Sequence, residues 1–577
     1  MANFFKKRGQ KLVKKFSRAS LKASEESKEH IKENLIERLA NFKDVRLLVL
    51  EWGLMALMLI MLSAAQAVWF GESYANSSYV QGGVYTEATI GEVKSLNPLF
   101  ATTSSEKVLS RLMFATIATN DYSGHVGIGL AKSITPLENG RIWKVTLREG
   151  LKWSDGEDLT NADVLFTADL IKNPATSTVY NSNLQGVKVY ESEEKEIVFE
   201  LASAYADFMS ALNFPIVPKH ILENVEPKLL IENSFSKSPV VSGAFSFNAL
   251  QSGASADEKV FYLTANPYYY KGKTLLNSFA VHTYQTKDAV LGALNSGSVT
   301  ATAELSEAES EKINTAFIQR DSGINAGVFI FFNLDNEVVK NLDLRTAIRQ
   351  GINLEGLRAE APGTSSLDYP LLASQIKLTS YPAIPAMDFE VAKAKIAELS
   401  GGGQIGLRVA TVNVGFLPKI ARKLEEDLKN LGIDATVTVY EEGQDFITNV
   451  ITKRDYDLLL YETPLGAEPD LLPYYHSSQA SMAGLNLSNY KNYLVDDLLL
   501  GARDTMDEAL RVKKYESFLN YWVAEVPAIG VYQSNLTYYY NREVRTYGNN
   551  VRLVTALDRF LDVNDWAVNK ATRNKTP

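Results

Sequence analysis

After Arg46 the chain reads LLVLEWGLMALMLIMLSAAQAVWF, and from Trp52 to Phe70 it carries no charge. At about 1.5 Å of rise per residue, a helix of this length crosses roughly the hydrocarbon thickness of a bilayer. Glu51 sits at one end of the stretch, and Trp52, Trp69 and Phe70 flank it as interfacial residues do. Residues 1–46 carry 13 Lys and Arg against six acids, a balance of +7. Basic flanks stay on the cytoplasmic side. The pattern predicts a basic cytoplasmic tail (1–46), one transmembrane helix (47–70), a short polar linker (71–80) and an extracytoplasmic body (81–577). A cleaved signal peptide is the alternative, because Ala65-Gln66-Ala67 fits a small-x-small cleavage pattern after Ala67. The basic region is far longer than a usual signal flank, which favours the retained anchor. In the tail, Ile31, Leu35, Leu39 and Phe42 recur at helical spacing. They suit either a basic amphipathic helix on the inner leaflet or a solvated charged helix.

The whole chain has a formal charge of −9, so the part beyond the tail carries −16. An acidic body argues against nucleic-acid binding. There are no cysteines, which removes disulfides, thiolate chemistry and lipid attachment through an N-terminal cysteine. The five histidines (His30, His125, His220, His282 and His476) are scattered, none at ligand spacing from another. No metal or cofactor is expected. The stretch Gly401-Gly402-Gly403-Gln404-Ile405-Gly406 matches G-x-G-x-x-G by letter, but a helix (389–399) precedes it and a strand follows. A dinucleotide loop needs the reverse order, so these glycines read as a helix terminator. No nucleophile elbow or P-loop is present, and the acidic run 304–311 reads as a solvated helix face.

The length of 577 residues demands several folding units. Strands are expected at 84–90, 142–147, 195–201, 260–264 and 279–283. The clearest unit is strand 405–412, helix 417–431 and strand 434–440. Ile420, Leu424, Leu428 and Leu431 share one face of that helix, and Gly432 ends it. Strand–helix–strand implies a parallel pair, so the fold class is α/β with more than one sheet.

Several segments then resemble one family. The opening strand is followed by SLNPLF (95–100), and 129–171 reads GLAKSITPLENGRIWKVTLREGLKWSDGEDLTNADVLFTADLI. SGAFSF (242–247), LTANPYYYKGK (263–273), FFNLDNEVVKNLDLRTAIRQGINLEGL (331–357) and the stretch 431–470 follow in order. Together they resemble the extracellular solute-binding proteins of family 5, the oligopeptide-, dipeptide- and nickel-binding components of ABC importers. The signature residues themselves have structural work to do. Trp153, Asp155 and Gly156 suit a turn, Thr160 with Asp163 a helix cap, and Asp343 the cap of the helix bearing Ala347 and Ile348.

The resemblance implies a two-lobed type II periplasmic-binding-protein-like α/β fold with an inserted domain. Lobe I would comprise about 81–100, 235–328 and 535–577, the insert about 101–234, and lobe II about 329–534. It implies a non-enzymatic substrate-binding subunit that takes peptides, or another small solute, in an inter-lobe cleft and passes them to an ABC permease and its ATPase; with the N-terminal segment, the expectation is a monomeric, membrane-tethered one. A surface receptor uncoupled from import, and a cell-envelope hydrolase, are the alternatives. In the family's peptide binders an acid of the second lobe takes the ligand's ammonium, which points here to Asp470 and then Glu468. Segments bordering the cleft in relatives correspond to Glu87, Ser242 and Gly243, while Tyr461, Tyr474 and Asn486 are expected to line pockets. Two departures stand out: Gly243-Ala244-Phe245 replaces the common Gly-Pro-Tyr, and the stretch before Glu468 lacks an aspartate many relatives carry.

Overall fold

The computed structural model describes residues 42–253 and 257–574. They form two compact units, 42–78 with 570–574, and the described residues of 79–569. In the first, helix α1 (Phe42–Tyr74) runs for 33 residues, through the uncharged stretch and beyond it. Residues 71–80, expected to be a linker, instead continue the helix to Tyr74 and then form the strand Ala75–Val80. Side chains of α1 are described for 50–66, where the large apolar ones from Leu50 to Leu62 are 53–67% exposed. Among the described residues no helix is long and apolar enough to cross a membrane. The basic tail to residue 41 and the side chain of Ala67, the alternative cleavage point, lie outside the described residues.

The body opens with β1 (Val84–Ile90) and α2 (Ser104–Met113). Then come β2 (Ala131–Leu137), β3 (Ile142–Leu147), α3 (Asn161–Lys172), β4 (Lys188–Glu191) and β5 (Ile197–Glu200). A second group of strands follows: β6 (Phe245–Ser252), β7 (Lys259–Ala265), β8 (Ser278–Tyr284), β9 (Ala301–Thr302) and the long β10 (Phe317–Phe332). Beyond them lie α4 (Leu342–Gly351), α5 (Phe389–Ser400), β11 (Ile405–Val412), α6 (Leu417–Asn430), β12 (Ile433–Tyr440) and β13 (Leu458–Pro464). The last large elements are α7 (Tyr493–Arg503), α8 (Glu508–Glu525) and β14 (Ala528–Asn541).

β2, β3, β5 and β4 make a small antiparallel sheet in that order. The large sheet runs β12-β11-β13-β10-β14-β9-β1-β8-β7-β6, with Ser365–Ser366 pairing onto β14. As the strand–helix–strand pattern requires, β11 and β12 are parallel, and Gly432 takes the left-handed φ of +93° that releases α6. The glycines after α5 likewise end a helix, with Gly401 at φ +56° and β11 beginning only at Ile405. The Thr160 N–H donates to Asp163 at 2.8 Å at the start of α3, as the spacing predicts. The cap of α4 is a correction: Asn341, not Asp343, accepts the N–H groups of Asp343 and Leu344, because Asp343 already lies inside the first turn.

Hydrophobic burial gathers the body around two large cores and a small third one that includes Ala88, Leu294 and Tyr539. One large core gathers residues between Val328 and Tyr532. The other large core draws on Tyr85 to Ala301 and on Leu536 to Trp566. The stretch expected as an inserted domain shares this first-lobe core, since Val164, Phe199 and Phe208 belong with Tyr85, Phe279 and Trp566. Among the described residues, only β10 and β14 run through both lobes. They pair antiparallel from Phe317–Gly323 with Asn535–Asn541, lose register between Gly323 and Gly327, and pair again from Gly327–Phe331 with Ala528–Gln533, with a second shift between Val328 and Phe329. A break in the ladder is where a paired ribbon bends, and this double strand stands where the resemblance implies a hinge.

Candidate functional site

Side chains alternate across a strand, so the crossing ribbon has two faces. On one face Asp321, Ile324, Tyr532 and Ser534 border a cleft of about 1120 Å³. On the other, Ser322, Asn325 and Gln533 border a separate groove of about 730 Å³. The larger, front cleft takes one wall from each lobe. Lys94, Thr102, Thr103 and Glu304 come from the first lobe, while Asn413, Phe416, Phe446, Tyr461 and Glu462 come from the second. The volume suits a ligand larger than a single amino acid.

The front cleft combines apolar rings with acids. Tyr461 is half-buried on β13 and packs against Phe446 with ring centroids 5.7 Å apart, and burial pushes its phenol pKa up. Its neighbour Glu462 is exposed and accepts the Ser534 hydroxyl from β14. Across the cleft, Glu304 accepts the Ser104 hydroxyl at 2.6 Å, and burial raises its carboxyl pKa. Glu304 was read from sequence as part of a solvated helix face. The helix instead begins at Glu307, which leaves Glu304 just after β9 and turned into the cleft. Glu462 also escaped notice. Its signal was there, a charge inside the apolar strand DLLLYETP.

Of the expected site residues, Tyr461 alone borders this cleft. Glu87 is a correction. It is fully buried, accepts from Arg559 Nη2 at 2.5 Å and Nε at 3.2 Å, and from the Tyr538 hydroxyl at 2.8 Å. Strand alternation turns its side chain into the first-lobe core. Ser242 and Gly243 are corrections too. Ser242 is buried with its hydroxyl accepting the Ala115 N–H, and Gly243 lies so close to α2 that a Cβ there would stand 2.4 Å from the Met113 carbonyl carbon. Asn486 is wholly buried and donates to the carbonyls of His476 and Tyr490, which makes it a loop brace rather than a ligand contact. Tyr474 donates to the Pro464 carbonyl at 2.6 Å, and burial pushes its phenol up to about 12.

Asp470 and Glu468 lie off the front cleft, in ties between the lobes. Arg503 on α7 and the Tyr205 hydroxyl (3.0 Å) both bond Asp470, and the Arg503 guanidinium stands 4.4 Å from the Tyr205 ring centre. Glu468 bonds His125 Nδ1 at 3.0 Å. Beside them Arg511 on α8 holds Asp207 at 2.7 Å. Burial raises the Asp207 carboxyl to about 6, opposed by Arg511 and reinforced by Glu468 and Asp470. His125, Tyr205 and Asp207 come from the expected insert, their partners from the second lobe. An acid already held by arginine is a poor acceptor for a ligand's ammonium, since the charge-assisted bonds are taken. Among the described residues no three His, Asp or Glu side chains gather as a metal site.

Two lobes on separate cores, a double strand that joins them and a cleft walled by both form the architecture of a cleft-type solute-binding protein. Residues 126–482 match the family described as bacterial extracellular solute-binding proteins, family 5 (middle region), and the chain belongs to that family. Its members are binding proteins rather than enzymes. The oligopeptide-binding protein AppA of Bacillus subtilis (strain 168) is 26% identical over 480 residues, covering 79% of this chain and 87% of that protein. The structure of AppA from the same species, in complex with a nonapeptide, superposes with a TM-score of 0.69 at 22% identity, covering 85% of this chain and all of that one. CtaP from Listeria monocytogenes, an ABC transporter substrate-binding protein, gives a TM-score of 0.73 at 22% identity over the same share of both chains. NikZ from Campylobacter jejuni, in complex with Ni(L-His), gives 0.69 at 22% identity, covering 84% of this chain and 99% of that one.

Proposed function

We propose that this chain is the membrane-tethered, extracytoplasmic binding subunit of an ABC peptide importer, and that it takes its ligand in the front cleft. The observation that carries the reading is the cleft itself: about 1120 Å³, bordered by both lobes, at the hinge about which they turn. A ligand that touches both walls favours the closed arrangement, and that difference in affinity drives closure. Peptides are the preferred class because AppA, the relative matched over most of this chain, is named an oligopeptide-binding protein. Tyr461 supplies an aromatic wall, and Glu462 takes the acceptor role that the resemblance had assigned to Asp470 and Glu468.

Two features support the tether. Helix α1 continues for 33 residues through an uncharged stretch whose described apolar side chains are exposed, and the basic excess lies on its N-terminal side. The absence of cysteine rules out a lipid tether on an N-terminal cysteine, which favours a retained helix.

Native mass spectrometry of the detergent-extracted full chain tests both parts. Co-purifying peptides of a defined length range, on a chain that still carries its N-terminus, are the expected result. Sugars or a metal chelate in the cleft would overturn the peptide class, and a mature N-terminus at Val68 would overturn the tether. Loss of labelled-peptide uptake on deleting the gene tests delivery to a permease; undiminished uptake refutes it.

A further inference from the structure

The groove behind the hinge has the opposite chemistry to the front cleft. Five carboxylates (Glu304, Glu307, Asp321, Glu442 and Glu462) and two lysines border the front. No carboxylate is among the residues lining the rear, where Arg552 is the charged residue and His125 is already bonded to Glu468. The Arg552 backbone N–H is bonded to the Tyr122 carbonyl, but its exposed guanidinium has no hydrogen-bond or ion-pair partner among the described residues. Asn549 offers its carbonyl oxygen to Arg320, which leaves its amide N–H₂ as the free end. The Ser374 hydroxyl, from the second lobe, also borders the groove, as do Asn325 and Gln533, each of which gives a side-chain N–H to a backbone carbonyl. A guanidinium without a partner, in a groove that also holds amide and hydroxyl groups and no carboxylate in its lining, is matched by a carboxylate.

The groove also reports on lobe position. Arg552 and Asn549 belong to the first lobe, Ser374 to the second, and the hinge ribbon is the floor between them. Because this groove and the front cleft lie on opposite faces of the same ribbon, a rotation that narrows one widens the other.

We propose that the rear groove is a second binding site, for a small carboxylate-bearing solute, and that its occupation opposes closure of the front cleft. The site itself stands on the groove's geometry. Its effect on uptake rests on the front cleft being the solute site. By linkage, a rear ligand that favours the front-open arrangement weakens the front ligand by the same factor as the front ligand weakens it.

The test uses glutarate as probe, and its neutral diamide as control, on the purified full chain. Calorimetry is expected to show saturable glutarate binding, no diamide binding, at least tenfold weaker binding in Arg552→Gln, and partial retention in Arg552→Lys. The lack of native cysteines permits clean labelling at Asp288→Cys in the first lobe and Asp445→Cys in the second, both exposed near the front cleft. Glutarate is expected to lengthen the distance between those labels. Absent glutarate binding, equal binding of the diamide, or unchanged binding in Arg552→Gln overturns the site. Binding that leaves the label distance unchanged overturns the coupling. Neither readout requires a front ligand, so failure here is distinct from failure of the peptide-importer reading.

Discussion

Replacing Glu87 with alanine separates a structural role from a ligand contact. The Glu87 side chain is fully buried and that of Arg559 is 3% exposed, with Nε and Nη2 of the arginine both donating to the same carboxylate oxygen. The other oxygen accepts from Tyr538, whose hydroxyl lies 2.8 Å from that of Tyr85. In Glu87→Ala the guanidinium stays buried above the Phe560 ring (4.2 Å) with its counter-charge gone. Breaking a buried pair in this way costs about 3–5 kcal/mol, most of it the penalty of the uncompensated charge. Glu87→Gln keeps an acceptor and should cost less, about 1–3 kcal/mol. The double change Glu87→Met with Arg559→Met removes both charges and should recover most of the loss. Urea unfolding followed by tryptophan fluorescence reads the effect: with a slope of about 3 kcal/mol per molar, the first-lobe midpoint should fall by about 1–1.7 M in Glu87→Ala. An unchanged midpoint together with lost ligand affinity would refute this reasoning and return Glu87 to the ligand site.

Three further outcomes are expected. The folded carboxyl of Asp207, raised from 3.8 to about 6, keeps a proton that the unfolded chain gives up. Its contribution is therefore fully present below pH ~4 and is lost as pH rises to ~6, about 3 kcal/mol in all; Asp207→Asn should flatten that part of a stability–pH curve, and an unaltered slope counts against it. Gly243→Ala drives a Cβ against the backbone of Met113 and Phe114, and should cost about 1–3 kcal/mol in a thermal-unfolding series; a neutral result would show that α2 can retreat. Tyr461→Ala should weaken the co-purified ligand about tenfold or more while leaving the unfolding midpoint nearly unchanged, whereas a stability loss without an affinity loss would make Tyr461 a packing residue.

What the sequence determined by itself was local and periodic. The β1, β3 and β11 limits, the parallel β11–α6–β12 unit, the turn at Gly432 and the reversed glycine loop after α5 were all legible, because strand alternation, helix spacing and left-handed glycines are properties of neighbouring residues. The family was legible for a related reason: its signatures, such as WSDGEDLT, are turns and caps that any chain with this fold must make at the same places.

The candidate site was another matter. Only tertiary structure decided that Glu87 turns inward to Arg559, 472 positions away, and that Asp470 is already held by Arg503 and Tyr205. A carboxylate looks the same in sequence whether it meets water, a ligand or a guanidinium brought from a distant segment. Glu462 and Glu304 came to face each other as two of the cleft's acids only because folding around two cores set β13 opposite the turn after β9. Secondary structure follows from spacing along the chain, but the availability of a charge follows from what folding has placed beside it.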